Sequence, residues 1–360
     1  LAVIWLGVYK AELHIHPYNI KEDTLAKAKI VGTGLYAPGS ALGHEELMRL
    51  AGVSFDSEKI SEKIGIHTRH IARFRNIDET TADFAEKATR EAIDNAGIDP
   101  LDIGLFIVGT DTPEYVSPAT AILLQGRIQQ RQQYCGAFDV NASCASFVKA
   151  LDAAAMMLAG NPRLRYAVVT GVYNMPAHIR PGDAFGWSIF ADGAGAVVLE
   201  RVSDDDPSGY VGGSMTSDGT QWNYVGIYAG GTKKPLTHEL LDAGTWGLEL
   251  LQRLPGDRNV KLWPDLILDL CKTHGYSPEA IKKYFLTQIN RSVIEQVMEI
   301  IGQPVSKAPM IMDRYGYTGS ACIPMALHDA IQQGQLQRGD PILFCASGAG
   351  LAVGTNLLVY

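Results

Sequence analysis

One cysteine stands out for its setting. The segment Phe138-Asp-Val-Asn-Ala-Ser-Cys144-Ala-Ser-Phe147 reads as a strand, a tight turn and the start of an apolar helix, with Cys144 at the helix N-terminus. A thiol there meets unpaired N–H groups and the positive end of the helix dipole, both of which favour thiolate. Thiolate is the competent nucleophile toward a thioester. A lone cysteine is also a small packing residue, and its position alone does not decide between the two. The other cysteines, Cys135, Cys271, Cys322 and Cys345, lie far apart and form no CxxC pair. With Cys144 the total is five, an odd count that fits free thiols in a reducing, cytoplasmic compartment better than a disulfide framework. Near the C-terminus, Ser347-Gly-Ala-Gly350 is a small-residue turn between two strands. No Gly-Lys-Ser/Thr follows, so it is not a phosphate loop.

The rest of the chain must position these groups. It has 360 residues, enough for a large single fold or two domains, and a net charge of −8. That balance argues against nucleic acid as the main partner, since phosphate binding needs a basic surface. The apolar run from Ala2 to Tyr9 is too short to span a bilayer and lacks the basic start and cleavage site of a signal peptide. Residues 1–28 read as an extension, an extra strand or arm, and no membrane association is expected.

The core pattern begins at Lys29. Thr80 with Asp83 suggests a capping box, and Phe84, Ala85, Ala88, Ala92 and Ala96 recur at helical spacing until Gly97. Apolar strands are expected at Leu105–Val108, Ala137–Asn141, Arg165–Thr170 and Ala194–Glu200, with helices from about Ala119 and from about Cys144 to Ala159. This alternation predicts an α/β sheet covered by helices on both faces.

The second half repeats the pattern. Gly97, Pro100, Ile103 and Phe106 correspond to Gly275, Pro278, Ile281 and Tyr284, and Ala150-Leu151 to Ala326-Leu327, at an offset of 176–178 residues. So long an offset means duplicated domains rather than a solenoid. The expected division is 29–205 and 206–360. Under it Ser320 occupies the place of Cys144, and a pseudo-twofold axis brings the loops ending at Thr287 and around Tyr317 to face Cys144.

At these residues the sequence resembles the thiolase superfamily, most closely β-ketoacyl-acyl-carrier-protein synthase III, over roughly residues 29–360. The resemblance rests on Asp139-Val-Asn-Ala-Ser-Cys144, Phe190-Ala-Asp192-Gly-Ala-Gly-Ala196, Thr112-Pro-Glu-Tyr-Val-Ser-Pro118-Ala-Thr-Ala and Tyr315-Gly-Tyr-Thr-Gly-Ser-Ala-Cys-Ile-Pro324. It implies a duplicated αβαβα five-layer fold with pseudo-twofold symmetry. It also implies an acyl group taken from coenzyme A or acyl carrier protein onto Cys144, with neither metal nor cofactor. The N–H of Ala349, within Gly348–Gly350, is then expected to pair with that of Cys144 as an oxyanion hole. A homodimer that lends the Thr112–Ala121 loop to its neighbour's pocket is expected too.

The chain also departs from the family. A histidine belongs in a His-Gln-x-Asn run, but the sequence reads Thr287-Gln288-Ile289-Asn290. An asparagine belongs in Tyr-Gly-Asn-Thr, but the sequence reads Tyr315-Gly316-Tyr317-Thr318. Threonine is a weaker donor toward an enolate and no practical base near pH 7. The changes therefore argue against ordinary decarboxylative condensation and leave thioester capture intact. Gln288 and Tyr317 are candidate oxyanion donors, and Asn290 a substrate contact or a cap. Asp111 falls where the related hydroxymethylglutaryl-coenzyme A synthases carry a glutamate acid/base. A buried carboxylate there would have a raised pKa, whereas a loop aspartate would bond its own backbone. His178 is a loop histidine that could approach the site. Ser117 replaces the phenylalanine that closes the acyl pocket of short-primer relatives, which predicts room for longer chains.

The expected function is therefore an acyltransferase of the synthase III type, in fatty acid or secondary-metabolite biosynthesis. The alternatives are a non-catalytic partner subunit, or a non-decarboxylating condensing enzyme like the hydroxymethylglutaryl-coenzyme A synthases.

Overall fold

A computed structural model describes residues 26–360. The proposed arm 1–28 lies outside them except for Ala26–Ala28, which open the first strand rather than belong to an extension.

The first half runs β1 (Ala26–Tyr36), α1 (Thr81–Ala96), β2 (Ile103–Gly109), α2 (Thr120–Gln129), β3 (Gly136–Val140), α3 (Ser146–Gly160), β4 (Tyr166–Tyr173) and β5 (Gly193–Ser203). The second runs β6 (Gly209–Ser217), α4 (Arg258–Thr273), β7 (Lys283–Leu286), α5 (Arg291–Ile300), α6 (Cys322–Gln332), β8 (Pro341–Gly348) and β9 (Ala352–Val359). The first sheet is ordered β1-β5-β4-β2-β3 and the second β6-β9-β8-β7. The pairings repeat as well: β2 with β4 and β7 with β8 are parallel, while β4 with β5 and β8 with β9 are antiparallel. Among the described residues the second sheet has no counterpart of β3. Between α5 and α6 the chain instead forms the short helix Met312–Tyr315 and leads to Tyr317.

Local sequence explains the helices. The Asp83 carboxylate accepts the Thr80 N–H at 2.9 Å to start α1, and Gly97 closes it in the left-handed region at φ 65°. Phe84, Ala85, Ala88 and Ala92 face the first sheet from outside. Helices α3 and α6 lie between the sheets and touch both, so they are apolar on several sides; Phe147, Leu151, Ala154 and Leu158 of α3, and Ile323, Met325 and Leu327 of α6, are buried. With α4 and α5 outside the second sheet, the order of layers is αβαβα. Glycine allows the close approach of sheet to central layer. A Cβ on Gly171 would meet the Ser320 carbonyl oxygen at 2.4 Å.

One feature carries no sequence motif. Residues 218–257 form a long excursion between β6 and α4, containing the ribbon Val225–Ile227 paired with Leu248–Leu250. It covers the end of the central layer where Cys144 lies.

Candidate active site

The turn between β3 and α3 fixes the thiol. Asp139, near the end of β3, accepts the N–H groups of Thr120 and Ala121 at 2.7 and 2.8 Å and so caps α2. The Asn141 side chain accepts the Ser143 N–H at 3.1 Å, and Ser146 Oγ accepts the Ala142 N–H at 2.8 Å. Ser143 itself is left-handed, at φ 52°. Helix α3 starts at Ser146, so Cys144 stands two residues before it rather than opening it. The loop after β8 packs directly on this turn, and a Cβ on Gly348 would lie 2.7 Å from the Cys144 nitrogen.

Cys144 opens into a cavity of about 430 Å3. Asp111, Asn141, Ser143, Tyr173, Tyr317, Ser347, Gly348 and Ala349 line its reactive end. Apolar side chains including Ile189, Phe190, Val225, Ile227, Leu248 and Val293 line much of the rest. Tyr173, Phe190 and Tyr317 form an aromatic cluster, with ring centroids 5.8 to 6.3 Å apart. Tyr317 is held by backbone bonds to Ile189 and Ala191, both 3.0 Å, which ties it to the Phe190–Ala196 motif.

Burial raises the Cys144 pKa to about 12 from its ordinary 9.0. The Asp111 charge adds to the rise, and the neighbouring hydroxyls of Tyr317, Ser143 and Tyr173 oppose it. The resting group is therefore a thiol, which corrects the expectation of a ready thiolate. Excluding water from the sulfur outweighs the dipole of a helix that begins two residues later. Asp111 is raised to about 6, mainly by burial. Its Oδ2 accepts the Ser143 hydroxyl at 2.8 Å, and Ser143 Oγ lies 3.7 Å from Cys144 Sγ. Ser143 has one hydroxyl proton and directs it to Asp111, so the thiol is the donor in the longer contact. Asp111 Oδ1 is buried without a hydrogen-bond partner among the described residues. The Asp111 turn is rigid: Thr110 Oγ1 accepts the Thr112 N–H at 3.0 Å, and Thr112 Oγ1 accepts the Asn174 N–H at 2.9 Å.

The remaining residues singled out from sequence separate into two groups. Asn290 lines the cavity and also caps α5, its Oδ1 accepting the Ser292 N–H at 3.0 Å. Thr287 is buried outside the lining, and its hydroxyl accepts the Ser347 N–H at 3.0 Å. Gln288 is also outside it. Its amide nitrogen donates to the Pro309 carbonyl at 2.9 Å and its oxygen accepts the Ile311 N–H at 2.9 Å, so it anchors the chain toward Tyr317. Gly350, His178 and Ser117 do not line the cavity, and Ser117 is exposed. Ser320, in the place of Cys144 in the second half, donates to the Val172 carbonyl at 2.6 Å.

Sequence reasoning missed four contributors. Tyr173, the last residue of β4, meets the thiol because Gly319 has no side chain; a Cβ there would lie 2.2 Å from the Tyr173 ring. Ser143 was read only as part of a turn. Arg258 and Asn259 open α4 and line the cavity, but no motif marks them.

Comparison with known proteins agrees with this architecture. Residues 138–219 match the family model described as 3-oxoacyl-[acyl-carrier-protein (ACP)] synthase III, and residues 271–360 match that of its C-terminal part. The β-ketoacyl-[acyl-carrier-protein] synthase III of Xanthomonas campestris pv. campestris is 32% identical over 338 residues, covering 92% of this chain and 98% of that protein. That of Aquifex aeolicus is 31% identical over 333 residues, covering 92% and 99%. The crystal structure of the Aquifex aeolicus 3-oxoacyl-[acyl-carrier-protein] synthase III superposes with a TM-score of 0.79 at 29% identity, covering 92% of this chain and all of that one.

Proposed function

The chain belongs to the 3-oxoacyl-[acyl-carrier-protein] synthase III family of thiolase-fold, acyl-transferring enzymes, and we propose that it takes an acyl group from coenzyme A or acyl carrier protein onto Cys144 without relying on decarboxylation. The observation that carries this reading is the contact chain Cys144–Ser143–Asp111 beside a largely apolar cavity.

In this reading Cys144 Sγ attacks the thioester carbonyl carbon as its proton passes to Ser143 Oγ, while the Ser143 proton passes to the Asp111 carboxylate. The carbonyl oxygen becomes an oxyanion facing the N–H groups of Cys144 and Ala349. When the original C–S bond breaks, the leaving thiolate takes a proton from Ser143 Oγ, which regains one from Asp111. Tyr173 and Tyr317 donate to the sulfur as it becomes negative.

The same features favour a second reading, a non-decarboxylating condensing enzyme, over an inactive partner subunit. A raised Asp111 pKa suits an acid/base that serves both transfer steps. Assignment of Thr287 and Gln288 as direct oxyanion donors has no support from their hydrogen bonds. The reading divides the chain at 29–205 and 206–360, supported by the matching order of the two sheets. It also takes the protein to be a cytoplasmic homodimer, with Ser117 entering the partner's cavity. In support, Val116 is 92% and Tyr115 55% exposed on that loop, and among the described residues β3 is a sheet edge. Timed intact-mass measurement of wild type, Asp111→Asn and Ser143→Gly with acyl-thioesters tests the proton path.

A further inference from the structure

The cavity that holds Cys144 also holds an arginine for which the acyl transfer just described has no use. Arg258, the first residue of α4, lines it together with Asn259. One guanidinium nitrogen donates to Gln221 Oε1 at 3.0 Å, while Nε is buried with no hydrogen-bond partner among the described residues. Among the described residues no carboxylate lies within ion-pair distance of it. Neighbouring Asn259 is already engaged, its Oδ1 accepting the Ser347 hydroxyl at 3.1 Å. Elsewhere the cavity is largely apolar, so the guanidinium is a cation lining an enclosure that otherwise suits hydrocarbon.

A cation in such a place is stabilised by an anion that can supply a planar pair of acceptors. A thioester must enter the cavity acyl end first, because its carbonyl carbon has to reach Sγ. The pantetheine arm is uncharged, and the carrier's phosphates are at its far end. The anion that accompanies the reacting carbonyl into the enclosure is therefore a substituent of the acyl group.

We propose that Arg258 binds a carboxylate on the acyl group taken up by Cys144, making a dicarboxylic half-thioester the preferred donor. This rests on the reading of Cys144 as the acyl acceptor and adds the class of acyl group. Holding the carboxylate in a salt bridge also opposes its loss as carbon dioxide, in keeping with the replaced histidine and asparagine.

The test uses matched N-acetylcysteamine thioesters, which carry no phosphate: butyryl against succinyl, and valeryl against glutaryl. Loading of Cys144 is followed by intact mass on the full chain. Wild type should load the carboxylated member of at least one pair faster by about tenfold or more, the size expected for a charge-assisted hydrogen bond. Arg258→Gln should lower that selectivity ratio by about the same factor, and Arg258→Lys should retain part of it. Three results would overturn the inference: no carboxylate preference in either pair, a ratio unchanged in Arg258→Gln, or an arginine effect seen only with coenzyme A esters and equal for both acyl groups. The last would assign the guanidinium to the carrier's phosphates. Loading by neutral donors without a carboxylate preference would leave the acyl-transfer reading standing, whereas loading by no donor would remove both.

Discussion

The Ser143 hydroxyl donates a 2.8 Å hydrogen bond to the Asp111 carboxylate, joining the turn before α3 to the loop after β2. Because Ser143 Oγ is also 3.7 Å from Cys144 Sγ, the carboxylate reaches the thiol through one intervening hydroxyl. With Cys144 raised to about 12 and Asp111 to about 6, the resting pair is a thiol and, above pH 6, a carboxylate able to receive its proton.

Asp111→Asn should slow Cys144 acylation about 100-fold or more, within the usual range for loss of a general base. Ser143→Gly, which suits the left-handed backbone, should slow it less, since water can replace the hydroxyl. In wild type the acylation rate should rise through about pH 6 as Asp111 loses its proton, and Asp111→Asn should flatten that step. Rates measured by intact mass from pH 5 to 9 check this. An unchanged profile in Asp111→Asn would remove the carboxylate from the path.

The same carboxylate should cost stability. Its folded pKa of about 6 lies above the ordinary 3.8, so the folded state binds more protons than the unfolded state between those values. Stability should therefore fall as pH rises from about 4 to 6, and the loss should persist above that range. Asp111→Asn should consequently stabilise the protein at pH 8 by about 1–3 kcal/mol, with little gain at pH 4. Denaturant titrations of both proteins at the two pH values measure it.

Malonyl decarboxylation should be slow, by about 100-fold or more relative to relatives that keep both donors. Thr287 uses its hydroxyl as an acceptor for Ser347 outside the cavity lining, and the Tyr317 hydroxyl is directed to the thiol. Tyr317→Phe should instead impair acylation, by about tenfold or more for a hydrogen bond to a developing charge. Carbon dioxide release from malonyl-thioester, compared with Cys144 loading in the same samples, separates the two effects.

The helical periodicity, the glycine stops and the 176–178-residue offset made the two halves legible, because each reflects local geometry repeated in one chain. Cys144, Tyr317 and Ala349 were legible as members of short motifs, Asp111 only by its place just past a strand, and all four line the cavity. Other features depend on three-dimensional placement that residue type does not encode. Gln288 has the right amide, but its hydrogen bonds go to the backbone around residues 309–311. Tyr173 reaches the thiol only because Gly319 leaves space, and Arg258 reaches the cavity at the end of a long excursion without a motif. The thiolate expectation failed because sequence gives a helix start but not the burial of the sulfur.

Ser117 should affect chain length only through a dimer, since it lies outside its own chain's cavity. Sedimentation should show a dimer at micromolar concentration. Each buried methylene contributes about 0.8 kcal/mol, so loading should improve from acetyl to medium-chain neutral donors. Ser117→Phe should remove that gain and spare acetyl. A stable monomer, or a mutant that treats all lengths alike, would place the loop elsewhere.

The most direct measurement is the intact mass of the protein after incubation with a panel of acyl-thioesters, with Cys144→Ala as the control. Wild type should gain the mass of one acyl group, located at Cys144 by peptide mapping, and Cys144→Ala should gain none. An acyl adduct that persists in Cys144→Ala, or no adduct on wild type with any neutral or carboxylated donor, would contradict the account.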